Sequence, residues 1–473
     1  MIVGTALTGA TTRELLYIVS FSLFIYGLSG LTGPKTAVRG NRIAAAGMAV
    51  AIIATLLQPD PSNMWLIALG VAIGVALGVP AARRVKMTQM PQMVAIFNGV
   101  GGGAVALISW VEFRSTDGFA AVSTHIVVFS LFAAPIGMIS FWGSTIAFAK
   151  LQDLLPGRPL TIGRLQTPLN AALAAAVVAC AVAIVAGAHS EALIVALLIA
   201  SAVLGVLVVL PIGGADMPVV ISSLNALTGL AAAATGVALD NTSLIVAGMI
   251  VGASGTILTR QMAAAMNRSI TSIIAGGFGG TSESAPMTGP GGIVHSASPA
   301  DVAIQLAYAR QVVIVPGFGM AASQAQYAMR EMTKLLDAND VQVKYAIHPV
   351  AGRMPGHMNV LLAEAEVPYE QLVEMNDINP EFPRTDVALL IGANDVVNPD
   401  ARSNPQSPLY GMPILDIDKA QSIIVLKRSM RPGYAGVDNP VFTDPKTSML
   451  FGDARESLDS VTQALKELVT APA

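Results

Sequence analysis

The stretch VVIVPGFGMAA, residues 312–322, decides the fold of the C-terminal part of this chain. Its first four residues are β-branched and predict a buried strand, and the G-x-G-x-x-A pattern that follows predicts a tight turn into a helix. Gly317 permits the turn, Gly319 lets the backbone approach a pyrophosphate, and Ala322 lets the helix pack closely on the strand. The helix N-terminus would supply N–H donors to the phosphates. A tight turn without a ligand is the alternative, but the strand, turn and helix together favour dinucleotide binding.

Strand and helix patterns alternate on both sides of this stretch. Ser298, Pro299 and Asp301 are typical of an N-cap, a first-turn proline and a capping acid. Strands are predicted at 312–315, 341–347, 387–391 and 423–426, and helices at 320–336, 357–365 and 453–468, the last with Asp453 and Glu456 at capping-box spacing. This alternation predicts a soluble, Rossmann-like α/β domain whose parallel, doubly wound sheet has helices on both faces.

The composition of the whole chain shows that this domain is not alone. The chain has 473 residues, of which 53% are hydrophobic and 12% charged, and its mean hydropathy is +0.63. An average soluble domain is about 25% charged, so these values exclude an ordinary soluble protein, and they also exclude a disordered chain. The single cysteine, Cys180, excludes a disulfide framework and a cysteine-based metal cluster, and we predict no metal site.

The charges divide the chain after Arg268. Residues 1–268 carry 13 Lys and Arg against 8 Asp and Glu, whereas residues 269–473 carry 14 against 22. We therefore predict a polytopic α-helical membrane domain at 1–268, a linker rich in Gly, Ser and Pro at 269–297, and the soluble domain at 298–473. The membrane domain has about nine apolar runs of ~16–25 residues, long enough for a ~30 Å hydrocarbon core: near 14–32, 42–57, 64–79, 91–111, 123–149, 169–187, 191–210, 217–239 and 242–260.

The basic residues of the loops predict the orientation of these runs. If the N-terminus is outside, only Arg13 and Arg114 lie outside. The basic residues inside are then Lys35, Arg39, Arg42, Arg83, Arg84, Lys86, Lys150, Arg158, Arg164, Arg260 and Arg268. This is the positive-inside pattern, and an odd number of spans places the soluble domain on the cytoplasmic side of an inner (cytoplasmic) membrane.

Basic residues also indicate which nucleotide binds. An NAD site usually has an acid at the end of the second strand, but here that end is IHPVAGR (347–353), with Arg353 and no carboxylate. Lys427 and Arg428, followed by a serine, end a later strand and suit a 2′-phosphate, although a basic pair at a strand end is often only a solvated face. Together these features favour NADP(H). Residues 430–437, MRPGYAGV, are expected either to close over the nucleotide as a lid or to form an ordinary exposed loop.

These motifs together resemble the β subunit of the proton-translocating nicotinamide nucleotide transhydrogenases. The resemblance implies direct hydride transfer between NADH and NADP⁺, coupled to proton flow through the membrane domain. It also implies an α-subunit partner with the NAD(H) domain and further membrane helices, and we expect a dimer of the assembled unit and no nucleic-acid partner. The similar stretches are GGADMPVV (213–220), AMNRS (265–269), IAGGFG (274–279), PGFGMAASQAQY (316–327), HPVAGRMPGHMNVLLAEA (348–365), IGANDVVNP (391–399), KRSM (427–430), GYAGVDNP (433–440) and MLFGDA (449–454).

The resemblance also implies roles for individual residues. Because the cofactors carry the hydride chemistry, no side chain is predicted to be catalytic. Arg353 would contact phosphate, Tyr434 would lie in the closing loop, and Asp395 would couple the nucleotide state to protonation, although an Asp at a strand end is otherwise a helix cap or turn former. The predicted cofactor-binding residues are Gly317, Gly319, Met320, Ala321, Ala322, Arg353, Gly392, Asn394, Asp395, Lys427, Arg428, Ser429, Gly433, Tyr434, Ala435, Gly436 and Val437.

Polar side chains within the apolar runs predict a proton path, because such side chains are costly in lipid. Ser222, Asn225 and Gly229 share one helix face. A hydrogen bond between helices is the alternative for Asn98 and Asn225. The residues predicted for the path and its coupling are Asn98, Ser144, Asp216, Ser222, Asn225 and Asp395.

Asn98 departs from one branch of the family, which has a titrating histidine at this position. An asparagine orders water but cannot relay a proton by titration. Family members with asparagine here place the histidine on a helix of the partner polypeptide, so the resemblance implies that this chain holds half of the channel.

Two other functions explain part of the sequence. A membrane transporter or sensor regulated by NADP(H) would account for the apolar runs and the glycine turn, but not for the lid. A structural membrane subunit with a degenerate nucleotide domain would bind no nucleotide tightly. The sequence favours the transhydrogenase.

Overall fold

The structure is a computed structural model that describes residues 9–32, 34–57, 63–120, 122–152, 154–156, 159–214, 216–266, 270, 293–352, 356–407, 409–433 and 435–470. Most of the predicted linker lies outside these residues, as do Arg353 and Tyr434. The described N-terminal part contains nine long helices at the nine predicted positions: α1 (Gly9–Ser29), α2 (Pro34–Leu56), α3 (Met64–Arg84), α4 (Met90–Ser115), α5 (Thr124–Leu151), α6 (Gln166–Val185), α7 (Glu191–Val209), α8 (Met217–Ala238) and α9 (Thr242–Ala265).

The length and hydropathy of these helices fit a membrane. Within the described residues, eight of them, α2 to α9, are long and apolar enough to cross a bilayer. The remaining helix, α1, is 21 residues long but has Arg13 and Glu14 near its start. The chain is therefore a multi-pass helical membrane protein, as the sequence predicts.

Glycines bring the backbones of α8 and α9 into direct contact. A Cβ on Gly229 would overlap the backbone of Gly252, and a Cβ on Gly248 would overlap the backbone of Ala233. Small residues at helix interfaces permit this close approach in lipid. The two helices therefore form a hairpin with no side-chain layer between them at these positions.

The soluble domain is built on one parallel sheet. Its six strands are β1 (Gln311–Pro316), β2 (Gln342–Ile347), β3 (Leu372–Glu374), β4 (Val387–Ile391), β5 (Ser422–Lys427) and β6 (Thr447–Phe451), in the order β3-β2-β1-β4-β5-β6. All five strand pairings are parallel. This confirms the predicted doubly wound sheet and adds β3 and β6, which were not predicted.

Helices cover both faces of this sheet. Along β1, Val312 and Ile314 join one buried cluster, whereas Val313 and Val315 join a second cluster on the opposite face. A strand buried on both faces is apolar along its whole length, which explains the unbroken run of β-branched residues. The helices are α10 (Pro299–Ala307), α11 (Phe318–Ala322), α12 (Gln326–Asp337), α13 (His357–Glu364), α14 (Met375–Ile378), α15 (Asp400–Ser403) and α16 (Ala454–Thr470).

The helix predicted at 320–336 is wrong, because two helices replace it. Gln324, with φ 52°, follows α11, and Ala325 N–H donates to Met320 O at 3.0 Å. A left-handed residue at this position ends a helix and turns the chain, so the glycine turn leads into a helix of only five residues.

The predicted helix starts have different outcomes. The capping box of Ser298 and Asp301 is confirmed, with both reciprocal bonds present. At the start of α16, Asp453 accepts a hydrogen bond from Arg455 N at 3.0 Å, one residue before the predicted partner Glu456.

Candidate functional site

The two glycines after β1 bring the ends of β1 and β4 together. Gly317 N–H donates to Ile391 O at 2.9 Å, and Gly319 N–H donates to Gly392 O at 2.8 Å. A Cβ on Gly317 would overlap the Ala393 backbone, and one on Gly319 would lie 2.7 Å from the Cα of Gly392. The strand order reverses between β1 and β4, and parallel sheets bind dinucleotides in the crevice at this reversal.

A cavity of about 760 Å³ opens at this crevice. Its wall includes ten of the predicted residues: Gly317, Gly319, Gly392, Asn394, Asp395, Lys427, Arg428, Ser429, Gly433 and Ala435. The ends of β2 and β6 complete it, through Val350–Gly352 and through Gly452, Asp453 and Ala454, which were not predicted. A cavity of this size lies in the range that accommodates a large cofactor.

Several predicted residues do not line this cavity. Met320 and Ala321 are fully buried in the core beneath it. Ala322 is exposed, so its predicted packing against the strand is wrong. Ala322 is the last residue of the short α11, and the chain turns two residues later, at Gln324. Gly436 and Val437 lie further along the loop after β5.

Cations gather where the chain leaves β5. Lys427 Nζ donates to Arg431 O at 2.6 Å and lies 4.4 Å from the ring centroid of Phe442. Burial lowers the pKa of Lys427 to about 8, while the charges of Asp395 and Asp438 oppose this shift. Lys427 therefore remains largely charged at neutral pH.

Arg428 and Arg431 are exposed on the same wall of the cavity. Arg431 was not among the predicted binding residues, although it lies in the loop that the sequence singles out. Together with Lys427 and Ser429, the two arginines form a donor set that suits a dianionic phosphate.

The loop after β5 packs on the turn that follows β4. We call its described residues, 428–433 and 435–439, the β5 loop. Asp395 Oδ2 accepts a hydrogen bond from Ala435 N at 2.9 Å, and a Cβ on Gly433 would overlap the Asp395 carboxylate. With its amide oxygen toward the loop, Asn394 accepts from Gly433 N at 2.7 Å and from Lys427 Nζ at 3.2 Å.

The described end of β2 presents no carboxylate to the cavity. Its first residue after the strand, His348, is 2% exposed. His348 Nδ1 accepts from Val350 N at 3.2 Å, so Nε2 carries the proton and donates to Pro413 O at 2.8 Å. Burial lowers the pKa of His348 to about 4, against the opposing effect of the Pro413 hydrogen bond. His348 is therefore a neutral support for residues 350–352.

A polar cluster joins α4, α5 and α8 inside the membrane domain. Asn98 Nδ2 donates to Ser144 Oγ at 2.9 Å and to Ser140 Oγ at 3.3 Å. Ser140 Oγ lies 2.5 Å from Thr228 Oγ1. Asn98 Oδ1 is buried and accepts no hydrogen bond from the described residues. The prediction placed Asn98 and Ser144 in one path but missed Ser140 and Thr228. Along the chain, Ser140 lies 42 residues from Asn98, and Thr228 lies 88 residues from Ser140.

The other predicted path residues lie outside this cluster. Ser222 faces α9, where it accepts from Thr259 Oγ1 at 3.0 Å and donates to Gly255 O at 3.2 Å. Asn225 is half-buried on α8, and Asp216 is the residue before that helix. The ends of α8 and α9 also reach the cavity, through Gly214, Pro218, Met262 and Met266.

The described residues contain no group of three or more His, Cys, Asp or Glu placed to hold a metal ion. The features that remain are a helical membrane domain, a parallel sheet of the dinucleotide-binding type, and a cation-lined cavity at its strand-order reversal. They define a class: multi-pass membrane proteins that carry a Rossmann-type domain.

Comparison with known proteins identifies the family within this class. The family model described as NAD(P) transhydrogenase beta subunit matches residues 13–464. Two Rhodospirillum rubrum proteins named NAD(P) transhydrogenase subunit beta, one of them from a defined strain, are each 47% identical to this chain over 456 residues, which is 95% of this chain and 98% of theirs. The chain belongs to the NAD(P) transhydrogenase beta subunit family, and it is therefore an oxidoreductase subunit whose family implies an α-subunit partner.

Proposed function

We propose that this chain binds NADP(H) in the β1–β4 crevice and exchanges hydride with NAD(H) held by its α-subunit partner, coupled to proton translocation. Residues 1–268 form the proton-conducting domain, 269–297 the linker and 298–473 the NADP(H) domain. The soluble domain lies on the cytoplasmic side of the membrane, in accordance with the basic loops. The assembled unit is a dimer.

The observation that carries this proposal is the cavity itself. Side chains at Gly317 and Gly319 would collide with the turn after β4. Glycine at both positions therefore lets the turns after β1 and β4 lie in direct contact at the base of the crevice. Lys427, Arg428 and Arg431 place three positive charges around the cavity, while the described end of β2 supplies no acid for a ribose 2′-hydroxyl. This combination favours a nucleotide with a 2′-phosphate.

When bound, the nicotinamide supplies the hydride chemistry. The chain's own residues bind the nucleotide and orient it. Arg428 and Ser429 face the cavity for the 2′-phosphate, with Lys427 beneath the loop as a further charge. Arg353 and Tyr434 keep the roles that the family resemblance implies, in phosphate contact and in the closing loop.

Coupling requires a connection between this site and the membrane helices. Asp395 holds the β5 loop through Ala435 N, so a change in its charge would alter the loop. The same cavity reaches the ends of α8 and α9 beside Asp216. Asn98, Ser144, Ser222 and Asn225 are proposed to order the water that conducts protons, with the titrating histidine on the α subunit.

The test is reconstitution of the full chain with its α subunit in proteoliposomes. We expect NADH to reduce NADP⁺ and a pH gradient to form at the same time, whereas the full chain alone should bind NADP(H) without turnover. A chain that binds NADP(H) but never exchanges hydride would instead be a nucleotide-regulated transporter or sensor. A chain that binds no nucleotide would contradict the proposal altogether.

A further inference from the structure

Two buried asparagines stand behind the β5 loop. Asn398 is 0% exposed and Asn439 is 2% exposed. Neither side chain lines the cavity. They therefore do not contact a molecule bound there, and any influence on binding passes through the loop.

Each asparagine makes one local and one bridging hydrogen bond. Asn398 Oδ1 accepts from Asp400 N at 3.0 Å, and its Nδ2 donates across to Asp438 O at 3.0 Å. Asn439 Oδ1 accepts from Val441 N at 3.0 Å, and its Nδ2 donates across to Asn394 O at 3.0 Å. The oxygens thus serve local turns, while the two amide nitrogens tie the end of the β5 loop to the turn after β4.

The two bridges run in opposite directions. One starts on the β4 side and ends on the loop, and the other starts on the loop and ends on the β4 side. Both donors are buried side chains, and both bonds are part-buried. Loss of the first bond removes the amide donor to Asp438 O, whereas Asn394 O still accepts from Val397 N at 3.1 Å when the second is lost. The middle of the loop is held differently, by the half-buried carboxylate of Asp395. The loop therefore has one end fixed by β5, the other end fixed by the asparagines, and a middle that depends on Asp395.

We propose that Asn398 and Asn439 form the fixed hinge of the β5 loop, and that as positioning residues they let the loop retain NADP(H). The inference rests on the proposed function, since it requires the nucleotide in this cavity. Without the hinge, the segment that carries Arg431 and Ala435 would lose its anchor on the Asn394–Asp395 turn, and the loop would open more often.

Serine variants separate the bridging bonds from the local ones. A serine hydroxyl still accepts from a backbone N–H two residues ahead, so Asn398→Ser and Asn439→Ser keep the turns but are too short to bridge. The matched control is Asn379→Ser. Asn379 also donates to one backbone carbonyl, Ile414 O at 2.9 Å, and accepts from one backbone amide, Asp416 N at 3.1 Å, outside the loop.

The experiment compares the full-length wild-type chain, both single variants, the double variant and the control. The readouts are the rate of NADPH release, the KM for NADP⁺ against kcat in the assembly with the α subunit, and hydrogen exchange by mass spectrometry. In the double variant we expect NADPH release at least about tenfold faster, from the loss of two part-buried hydrogen bonds, and a raised KM. Amide exchange should rise in 428–437 but stay unchanged in β1 and β4, and the control should match the wild type.

Three results would overturn the inference. Unchanged NADPH release with faster exchange in the loop would show that the hinge has no part in retention. A second such result is a rise of amide exchange in β1 and β4 together with exchange in the loop, in the single variants as well as in the double variant. That result would show that the asparagines only support the fold. A wild-type chain that binds no NADPH would overturn the proposed function and this inference together, whereas normal binding with unchanged release overturns this inference alone.

Discussion

Lys427 and Arg428 differ in exposure although they are neighbours in the sequence. Lys427 lies half-buried under the β5 loop, and Arg428 is exposed on the cavity wall. Strand alternation explains the difference, because successive side chains at the end of β5 point to opposite sides. The two charges therefore approach a bound phosphate from different directions.

Replacing both cations tests the 2′-phosphate site. In the assembled enzyme, Lys427→Ala with Arg428→Ala should weaken NADP(H) binding far more than NAD(H) binding, since each lost charge-assisted bond costs about 1.5–3 kcal/mol. Calorimetric titration of each nucleotide measures the two affinities. Lys446→Ala, which removes a lysine that donates to Asp418 O elsewhere in the domain, is the control. Equal loss for both nucleotides would refute the assignment.

The pKa of Lys427 leads to a prediction about the pH dependence of NADP⁺ binding. Because burial lowers this pKa to about 8 in the free protein, the lysine is charged below that pH and loses its proton as the pH rises through it. A phosphate binds the charged form, so NADP⁺ affinity should fall between pH 7 and pH 9, approaching a tenfold loss per pH unit above about 8. In Lys427→Arg the decline should disappear, because arginine keeps its charge. An equal decline in both proteins would place the titrating group elsewhere.

Glycines bring the turn after β1 into contact with the turn after β4. Gly392 has φ 66°, and a Cβ there would overlap Gly319, whereas Gly356 has φ 69° with open space around it. Gly356→Ala should therefore cost only the left-handed strain, roughly 1–2 kcal/mol. Gly392→Ala should cost clearly more and also weaken NADP(H) binding, because the crevice must widen.

Thermal unfolding of the full chain and NADP⁺ titration measure both effects. Equal stability and affinity in the two variants would mean that the crevice tolerates a methyl group, contrary to its geometry.

The elements that the sequence predicts correctly are those with a local signal. β1 and β4 carry apolar runs because both sheet faces are covered, and the capping box at Ser298 needs only four neighbouring residues. The break between α11 and α12 has no such signal, because residues 323–325 contain no glycine or proline. β3 has only three residues, too few to show a period.

Within the candidate site, the residues with a local sequence signal were likewise predicted, and those brought together by the fold were not. The glycine turn and the cations at the end of β5 are adjacent in sequence and were predicted. Asn439 meets the turn after β4 from 45 residues away, and Thr228 meets Ser140 from 88 residues away. Such pairs exist only once the fold has brought the elements together.

The molecule as a whole depends on the polar cluster of Asn98 for its proposed coupling. Asn98→Leu keeps the bulk but removes the donor to Ser140 and Ser144, and the acceptor Oδ1 with it. We expect proton translocation in proteoliposomes to be lost while the isolated soluble domains still exchange hydride. Ser109→Ala is the control, because among the described residues this buried serine of the same helix bonds only within that helix, to Val105 O at 3.2 Å.

The number of protons translocated per NADPH formed is the measurement for this pair of variants. Should the leucine variant pump normally, Asn98 only packs helices, and the path runs elsewhere.

The backbone contact between α8 and α9 has a mechanical consequence. Helices that touch through Gly229 and Gly248 cannot slide past each other without steric overlap. We therefore expect α8 and α9 to move together as one rigid unit. Ser140 of α5 contacts α8 through its hydroxyl, which lies 2.5 Å from Thr228 Oγ1 and donates to Leu224 O at 3.2 Å. A motion of α9 would therefore carry α8 with it and reach Ser140, which accepts a hydrogen bond from Asn98 at 3.3 Å.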